Sequence, residues 1–349
     1  MWSSFYVIYY KYFFERKISV HAKNINLQTK KNLLEAIMNL NHIPVLLNES
    51  INGLNIKTNG IYIDGTVGGG GHSFFIAQKI FNGAKSKLIC IDRDEFALSM
   101  AKKKLKPFEK KIIFVHDNFC NIKKIANENK ICGVDGILLD LGVSSFQLDD
   151  AERGFSYIKN ARLDMRMDRS QKFTAFDLVN KSDIKKLGFI IKTYGEEKFY
   201  KQIANKICRA AKIKSIETTL ELAEIIKSAI PKKFHGKGNP AKKTFQAIRI
   251  TVNNEIEILE KTLRDCINLL NKDGRLCVIS FHSLEDRIVK NIFREFSTGC
   301  TCPKDFPICV CKKKAVCEIV NKKPICAGKN EIDINSRAHS AKLRIIKKI

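Results

Sequence analysis

"IYIDGTVGGGGHSFF" runs from Ile61 to Phe75 and places four consecutive glycines between a short apolar run and a segment of helical character. The apolar run predicts a buried strand, and the residues after the glycines predict a helix. A glycine-rich turn between a strand and a helix lets the backbone approach a bound molecule closely. The stretch therefore predicts a ligand site.

Two of the three ligand classes that use such a turn fit the stretch poorly or only in part. A phosphate-binding P-loop has the right glycine spacing at Gly65 and Gly70, but Gly71 occupies the position of the essential lysine. A dinucleotide site with Gly68 and Gly70 as its first glycines has Ser73 at the third position, which is a partial match. The missing lysine argues against a P-loop, and the dinucleotide site stays open.

The third class is S-adenosylmethionine binding, in which an acidic residue at the strand end precedes the glycines. Asp64 fits that position. Asp92 ends the next predicted strand, where a carboxylate can accept both ribose hydroxyls of a nucleoside. Dinucleotide enzymes share this second acid, so Asp92 alone does not choose between the two cofactors.

The flanking segments predict an open, doubly wound α/β sheet. Short apolar runs with the character of buried parallel strands alternate with segments that predict helices, HSFFIAQKIF and DEFALSMAKKKL. The predicted strands are GIYIDG, KLICID, KIIFVH and VDGILLDLG.

After residue 150 the pattern predicts an all-helical insert over 151–243, containing EEKFYKQIANKICRAAK and TTLELAEIIKSAI. One long helix is then predicted from Phe245 to Leu270, with Gly274 as its stop, before a further strand in GRLCVISFH. The α/β domain is therefore expected to be discontinuous. The two parts of this domain are residues 41–150 and residues 244–349, and the second part contains a cysteine-rich loop and a basic C-terminus. Residues 1–40 form a separate N-terminal extension.

Charge and cysteine content indicate the setting. Lysine and arginine outnumber aspartate and glutamate by 62 to 36, for a net charge of +26. This charge favours a polyanionic partner such as nucleic acid. The alternative explanation of the charge is a general bias of the proteome towards lysine. No apolar run reaches the roughly 18 residues of a membrane span. Chain length and scattered cysteines favour a reducing, cytoplasmic setting. The extension fits a misassigned start, a disordered segment or a targeting signal.

Three further stretches resemble the bacterial ribosomal RNA small-subunit methyltransferase H family. They are HIPVLLNE at 42–49, DGILLDLGVSSFQLDDAERGFS with LDMRMD between 135 and 168, and VISFHSLEDRIVK at 278–290. The resemblance runs from about residue 42 to 346. It implies a Rossmann-like S-adenosylmethionine-dependent methyltransferase sheet with an inserted helical domain. It also implies methylation of the N4 amino group of one decoding-centre cytidine in 16S rRNA of the small ribosomal subunit.

Carried over by position, the resemblance implies a set of cofactor contacts on the glycine loop and the strand ends. They are Gly70, Gly71, His72, Asp92, Phe119, Asp140 and Gln147. Asp140, at the end of the fourth predicted strand, could also accept a hydrogen bond from the N4 amino group. The sequence does not identify the group that accepts the proton. It leaves open whether the substrate is free rRNA or the assembled subunit, and whether the protein is a monomer or a homodimer.

Other residues are predicted to meet the substrate. Ser280 and His282 in SFHSLED could bind the flipped base or a phosphate, or His282 could simply cap the next helix. Asp164 and Arg166 predict a substrate clamp or, alternatively, an internal salt bridge. Arg249 and Asn253, four apart on the long helix, could reach the RNA backbone or form a solvated helix face.

Six cysteines between Cys300 and Cys326 could be a zinc site or reduced thiols, and their spacing favours thiols. No metal is therefore expected. Two rival functions are open on the residues alone. One is a nicotinamide-dependent oxidoreductase, and the other is a noncatalytic RNA-binding protein with the same fold.

Overall fold

The computed structural model describes residues 44–235, 238–300, 302 and 313–349. The predicted extension at 1–40 lies outside the described residues, as do His42, Cys309 and Cys311.

Eight strands form one sheet in the order β3-β2-β1-β4-β5-β8-β6, with β7 also paired to β8. β1 to β5 run parallel to one another, and β8 pairs antiparallel with β5. The predicted Rossmann-like α/β fold is confirmed. The strands are β1 Ile61–Asp64, β2 Lys87–Asp92, β3 Ile112–His116, β4 Val134–Asp140, β5 Leu270–Ser280, β6 Cys317–Ile319, β7 Ile325–Cys326 and β8 Lys342–Lys348.

Helices cover both faces of the sheet and form a separate helical layer. The α-helices are α1 Leu47–Gly53, α2 Gly71–Ile80, α3 Glu95–Leu105, α4 Ile122–Glu128, α5 Ser145–Asp149, α6 Ala175–Lys181, α7 Ile184–Gly195, α8 Tyr200–Ile213, α9 Thr219–Ala229, α10 Lys242–Asn253, α11 Glu255–Leu269, α12 Ser283–Ser297 and α13 Lys329–Ile334. Side chains cap several helix starts; the Asp94 carboxylate, for example, accepts the Phe96 amide of α3 at 3.1 Å.

Three apolar clusters make up the core. Two lie on opposite faces of the sheet, around Phe74 of α2 on one face and Leu263 of α11 on the other. The third lies within the helical part and extends from Phe155 to Val252. Because this cluster takes in the buried face of α10, we propose that the helical insert ends at Asn253 rather than at 243.

The single long helix predicted from Phe245 to Leu270 is wrong. Two helices, α10 and α11, meet at Asn254, whose φ of 51° is left-handed and ends the first of them. The three-and-four spacing continues across the break because both helices bury an apolar face, but against different partners. α10 packs on the helical cluster and α11 packs on the sheet. The second helix ends at Leu269, and Gly274 lies inside β5.

In the described ranges, no helix combines the length and apolarity needed to cross a membrane. Cys90, Cys208, Cys266, Cys277 and Cys317 are buried free thiols, and burial raises the pKa of Cys266 and Cys277.

Candidate active site

The glycine loop turns sharply between β1 and α2. Gly68 and Gly70 have φ values of 49° and 79°, a backbone region that glycine enters without strain. A Cβ on Gly70 would lie 3.2 Å from the Ala101 Cα, so a side chain there would be crowded against α3 as well as strained by the positive φ. The loop therefore exposes bare backbone on one side because helix packing occupies the other.

A cavity of about 1010 Å³ opens beyond the carboxyl ends of β1, β2, β4 and β5. This is the edge of a doubly wound sheet at which ligands bind. Several of the residues predicted from sequence line it together: Gly71, His72, Asp92, Phe119, Asp140, Gln147, Arg249 and His282.

Asp140, at the end of β4, lines this cavity with a side chain that is 27% exposed. Its Oδ1 atom is buried and has no hydrogen-bond partner among the described residues. Burial, followed by the charges of Asp64 and Glu285, raises the pKa of Asp140 to about 8. The carboxyl group therefore holds a proton at neutral pH when the cavity contains no cation.

His72 lies beside Asp140, with its Nδ1 atom 3.9 Å from the Asp140 Oδ2. Burial lowers the pKa of His72 to about 4, so the imidazole is neutral. Its Nε2 lies 3.1 Å from the Val45 carbonyl oxygen and donates to it, which leaves the Nδ1 lone pair facing the carboxyl group.

Asp92 is held by the loop that it faces. Its Oδ2 accepts the Gly68 amide at 2.8 Å, and its Oδ1 accepts the Asp94 amide at 2.9 Å. Each carboxylate oxygen has a further lone pair, so Asp92 keeps acceptor capacity for two hydroxyl groups. Phe119 begins the turn after β3 and lines the same cavity.

Gln147 is mainly a structural link. Its Nε2 donates to the Asp94 Oδ2 at 2.8 Å, while its Oε1 accepts the Ser144 amide at 3.1 Å and closes the cap of α5. Arg153 donates to the same Asp94 oxygen at 2.7 Å and to the carbonyls of Arg166 and Met167. This buried network joins the segment after β2, through Asp94, to the start of the insert.

Sequence reasoning missed Asp94 and Arg153. Asp94 could have been found as the helix-capping residue before EFALSM. Nothing in the pattern around Arg153 marks it as buried, because its carboxylate partner is 59 residues away.

His282 caps α12, which is the simpler of its two predicted roles. Its Nδ1 accepts the Glu285 amide at 3.4 Å, and its Nε2 lies 3.1 Å from the Glu285 Oε1 without hydrogen-bond geometry. Burial opposes the charge on Glu285, but His282, Arg249 and backbone donation together lower its pKa. His282 also lines the cavity, so the cap does not remove it from the site.

Arg249 enters the cavity as a cation. Its Nε and Nη2 donate to the two carboxylate oxygens of Glu255 at 3.0 and 2.9 Å. Burial opposes the charge on Arg249, but the negative charges of Glu255 and Glu285 outweigh it and raise the pKa of the guanidinium. Glu255, His282 and Glu285 place donor atoms within 4.8 Å of one another, a spacing that a metal ion could use. Both oxygens of Glu255 already accept from Arg249, so the guanidinium balances one of the two negative charges there.

Four predicted residues are not brought to the cavity. Ser280 is buried, and its hydroxyl donates to the Lys342 carbonyl at 3.4 Å. Asp164 and Arg166 form a bidentate salt bridge within their own loop, at 2.7 Å for each contact. Asn253 is buried rather than outward-facing as predicted. Its side chain accepts from the Met167 amide and donates to two carbonyl oxygens.

Gly70 does not line the cavity either; its role is the left-handed turn that starts α2. These residues fix the loop and the insert, and their assigned contacts with cofactor or substrate stay predictions.

The cavity fits a cationic nucleoside better than a phosphate ligand. Asp64, Asp92 and Asp140 end three neighbouring strands around the glycine loop, and Asp92 and Asp140 line the cavity. Carboxyl groups that ionise beside a cation suit a sulfonium and would repel a pyrophosphate when ionised. Asp92 has free acceptor capacity for ribose hydroxyls, and Phe119 offers an aromatic face. The sheet, the loop and the three acids define an S-adenosylmethionine-dependent methyltransferase.

The sequence profile of the MraW methylase family matches residues 39–349, and the chain belongs to that family. It is 55% identical over 312 residues to ribosomal RNA small subunit methyltransferase H of Clostridium botulinum (strain Loch Maree / Type A3), covering 89% of this chain and 100% of the relative. The protein of the same name from Finegoldia magna is 53% identical over 314 residues, with 89% and 100% covered. The crystal structure of a putative rRNA-methylase from Clostridium thermocellum aligns with a TM-score of 0.42 and 13% identity, over 88% of this chain and 100% of that chain.

We expect Asp92→Ala to weaken S-adenosylmethionine binding by roughly 10- to 100-fold, because hydrogen bonds to a charged acceptor are lost. Isothermal titration calorimetry measures the affinity. Glu95→Ala, an exposed change three residues along the chain, is the control and should bind normally. Unchanged affinity in Asp92→Ala would remove Asp92 from the cofactor site.

Proposed function

We propose that this chain transfers the methyl group of S-adenosylmethionine to the N4 amino group of a decoding-centre cytidine in 16S rRNA of the small ribosomal subunit, in the cytoplasm. The observation that carries the proposal is the 55% identity to a full-length relative that bears the name ribosomal RNA small subunit methyltransferase H. The cavity supports it, because carboxylates surround the loop where a methyl-donating cation would bind.

The cofactor supplies an electrophilic methyl group on sulfur. The protein must hold the acceptor nitrogen near this carbon and in line with the breaking bond. The lone pair of cytosine N4 is delocalised into the ring, so the amino group is a weak nucleophile. A hydrogen bond from N4 to an acceptor would localise that lone pair, and the Asp140 carboxyl group, which lines the cavity, offers such an acceptor once it is ionised.

Asp140 also suits the removal of the proton that N4 loses. Its raised pKa of about 8 makes its carboxylate a stronger base than an ordinary aspartate. A sulfonium charge nearby would lower that pKa and so favour the ionised, accepting form once the cofactor is bound. The pH at which Asp140 accepts a proton would then depend on cofactor occupancy.

The rim of the cavity carries positive charge suited to an RNA backbone. Lys103, Lys106 and Lys242 are exposed and line the cavity, and Lys104 lies among them, half-buried. Phosphate contacts of this kind act cumulatively and weaken as the salt concentration rises. The rim therefore accounts for part of the net charge of +26.

The direct test uses labelled S-adenosylmethionine and small ribosomal subunits that lack the modification. We expect label in 16S rRNA, and nuclease digestion with mass spectrometry should identify N4-methylcytidine at one position. Protein-free 16S rRNA, assayed in parallel, shows whether the assembled subunit is required. Label on a base carbon or on ribose, or no label in either substrate, would refute the proposal.

A further inference from the structure

Arg249 has donors that its carboxylate partner does not use. The ion pair with Glu255 engages the Nε and Nη2 side of the guanidinium. Within the described part of the chain, no hydrogen bond uses Nη1. Arginine has five N–H donors in a planar fork, so the end formed by Nη1 and the second Nη2 hydrogen is available.

This free end belongs to a side chain that is held in place. The Arg249 side chain is 17% exposed and Glu255 is 7% exposed, and both line the cavity. A bidentate pair with a buried carboxylate fixes the plane of a guanidinium as well as its position. Arg249 therefore presents a fixed pair of donors rather than a mobile charge.

Glu285 connects this fork electrostatically to the proposed acceptor of the N4 proton. Its charge contributes to the raised pKa of Asp140 and also acts on Arg249. Glu255 and Glu285 place oxygen atoms within 4.8 Å of each other, beyond the end of β5. Asp140, Arg249, Glu255 and Glu285 thus all line the same cavity, which offers both carboxyl acceptors and a two-donor fork.

We propose that Arg249, oriented by Glu255, recognises the N3 and O2 edge of the target cytosine while the N4 amino group faces Asp140. The proposal rests on the proposed N4-cytidine function. Cytosine carries one donor, N4–H, and two neighbouring acceptors, N3 and O2, along this edge. A carboxyl acceptor followed by a two-donor fork is the complementary arrangement.

The same arrangement rejects uridine. Uracil has an N3–H donor where cytosine has an acceptor, so it would direct a hydrogen at the guanidinium and a carbonyl at Asp140. A site that leaves buried polar groups unpaired with the wrong base discriminates strongly against it. Arg249 is thus a specificity residue that contacts the base, and Glu255 is a positioning residue behind it.

The test is a double-mutant cycle between Arg249 and the N3 atom. Small subunits are reconstituted with 16S rRNA that carries either cytidine or 3-deazacytidine at the methylated position. The analogue keeps the amino group but has C–H in place of N3. Single-turnover methylation is measured for the wild type and for Arg249→Gln, so the analogue's changed amine reactivity cancels in the ratio.

We expect 3-deazacytidine to slow the wild type roughly 10- to 100-fold more than it slows Arg249→Gln, since a good bidentate base contact has that value. Arg249→Lys, which keeps the charge beside Glu255 but loses the fork, should resemble Arg249→Gln. Glu255→Gln should show a reduced but measurable coupling. The control is Arg264→Gln, which breaks an equivalent bidentate pair with Glu295 on the surface and should behave like the wild type.

Equal slowing of the wild type and both Arg249 variants by the analogue would overturn the proposal. So would a loss of S-adenosylmethionine affinity in Arg249→Gln without any coupling to N3, because the guanidinium would then serve the cofactor. Failure of the proposed function has a separate signature. In that case the wild type places no methyl group on N4 of the unmodified cytidine subunits.

Discussion

Asp140→Asn is expected to lose methyl transfer by roughly 10²- to 10⁴-fold, the usual contribution of a positioned acid or base. The amide keeps the shape of the carboxyl group but cannot take a proton from N4. Single-turnover assays with saturating cofactor and unmodified small subunits measure the loss. The same variant should be more stable than the wild type above neutral pH, which separates loss of chemistry from loss of fold.

The pH dependence of that stability follows from the raised pKa of Asp140. Burial raises the pKa of this carboxyl group from its ordinary value of 3.8 to about 8 in the folded chain. Its contribution to folding is complete below pH 3.8 and is lost as the pH rises through about 8. At pH 9 the wild type buries a carboxylate that Asp140→Asn does not have, so the variant should melt several degrees higher.

Asp273→Asn is the matched control for Asp140→Asn. Asp273 is exposed and left-handed, with a φ of 63°, a conformation that asparagine tolerates well. The activity and melting temperature of the Asp273→Asn variant should stay at wild-type values.

For the wild type, kcat/KM for the cofactor should rise with pH and level off above about 8. A flat profile between pH 6 and 9, or an active Asp140→Asn, would contradict the role of Asp140.

Arg153→Met is the second change with a large expected effect, a loss of about 3–5 kcal/mol in the free energy of unfolding. It leaves the buried Asp94 carboxylate with Gln147 as its remaining side-chain donor and frees the carbonyls of Arg166 and Met167. Denaturant titration measures the loss, and a drop of roughly 10 °C in melting temperature should accompany it.

The double variant Asp94→Asn with Arg153→Met should recover much of that stability. No unpaired charge remains, and asparagine can still cap α3. Arg162→Met, an exposed change in the same region, controls for the substitution itself. If the single and double variants were equally unstable, the loss would come from the packing of the arginine side chain and not from the ion pair.

The sheet was predictable from sequence because each parallel strand is buried on both faces and so forms a short apolar run. β1, β2 and β4 each end in aspartate at the edge of the sheet where the cavity opens, and Asp92 and Asp140 line it. β8 was missed because Lys342, Arg344 and Lys347 interrupt its apolar pattern. Asp286 neutralises Arg344 at 2.6 Å, a partner that lies 58 residues away.

The site was less predictable because local spacing does not show what a side chain contacts. Arg249 and Asn253 are four apart on α10, yet one lines the cavity and the other is buried against the LDMRMD loop. Asp164 and Arg166 bind each other, which no periodicity distinguishes from a substrate clamp. Only the Asn253 contact is long-range, but none of these partners could be read from helical spacing.

At the left-handed residue Asn254 the chain turns a corner, from α10 of the proposed insert into α11, which packs on the sheet. Arg249 lies on α10 before this corner and Glu255 lies on α11 just after it, so their ion pair connects the two helices across the corner. The group that we assign to base recognition therefore also links α10 to α11 across this corner. Any change in the angle between α10 and α11 would therefore strain this ion pair and shift the proposed base-binding fork at the same time.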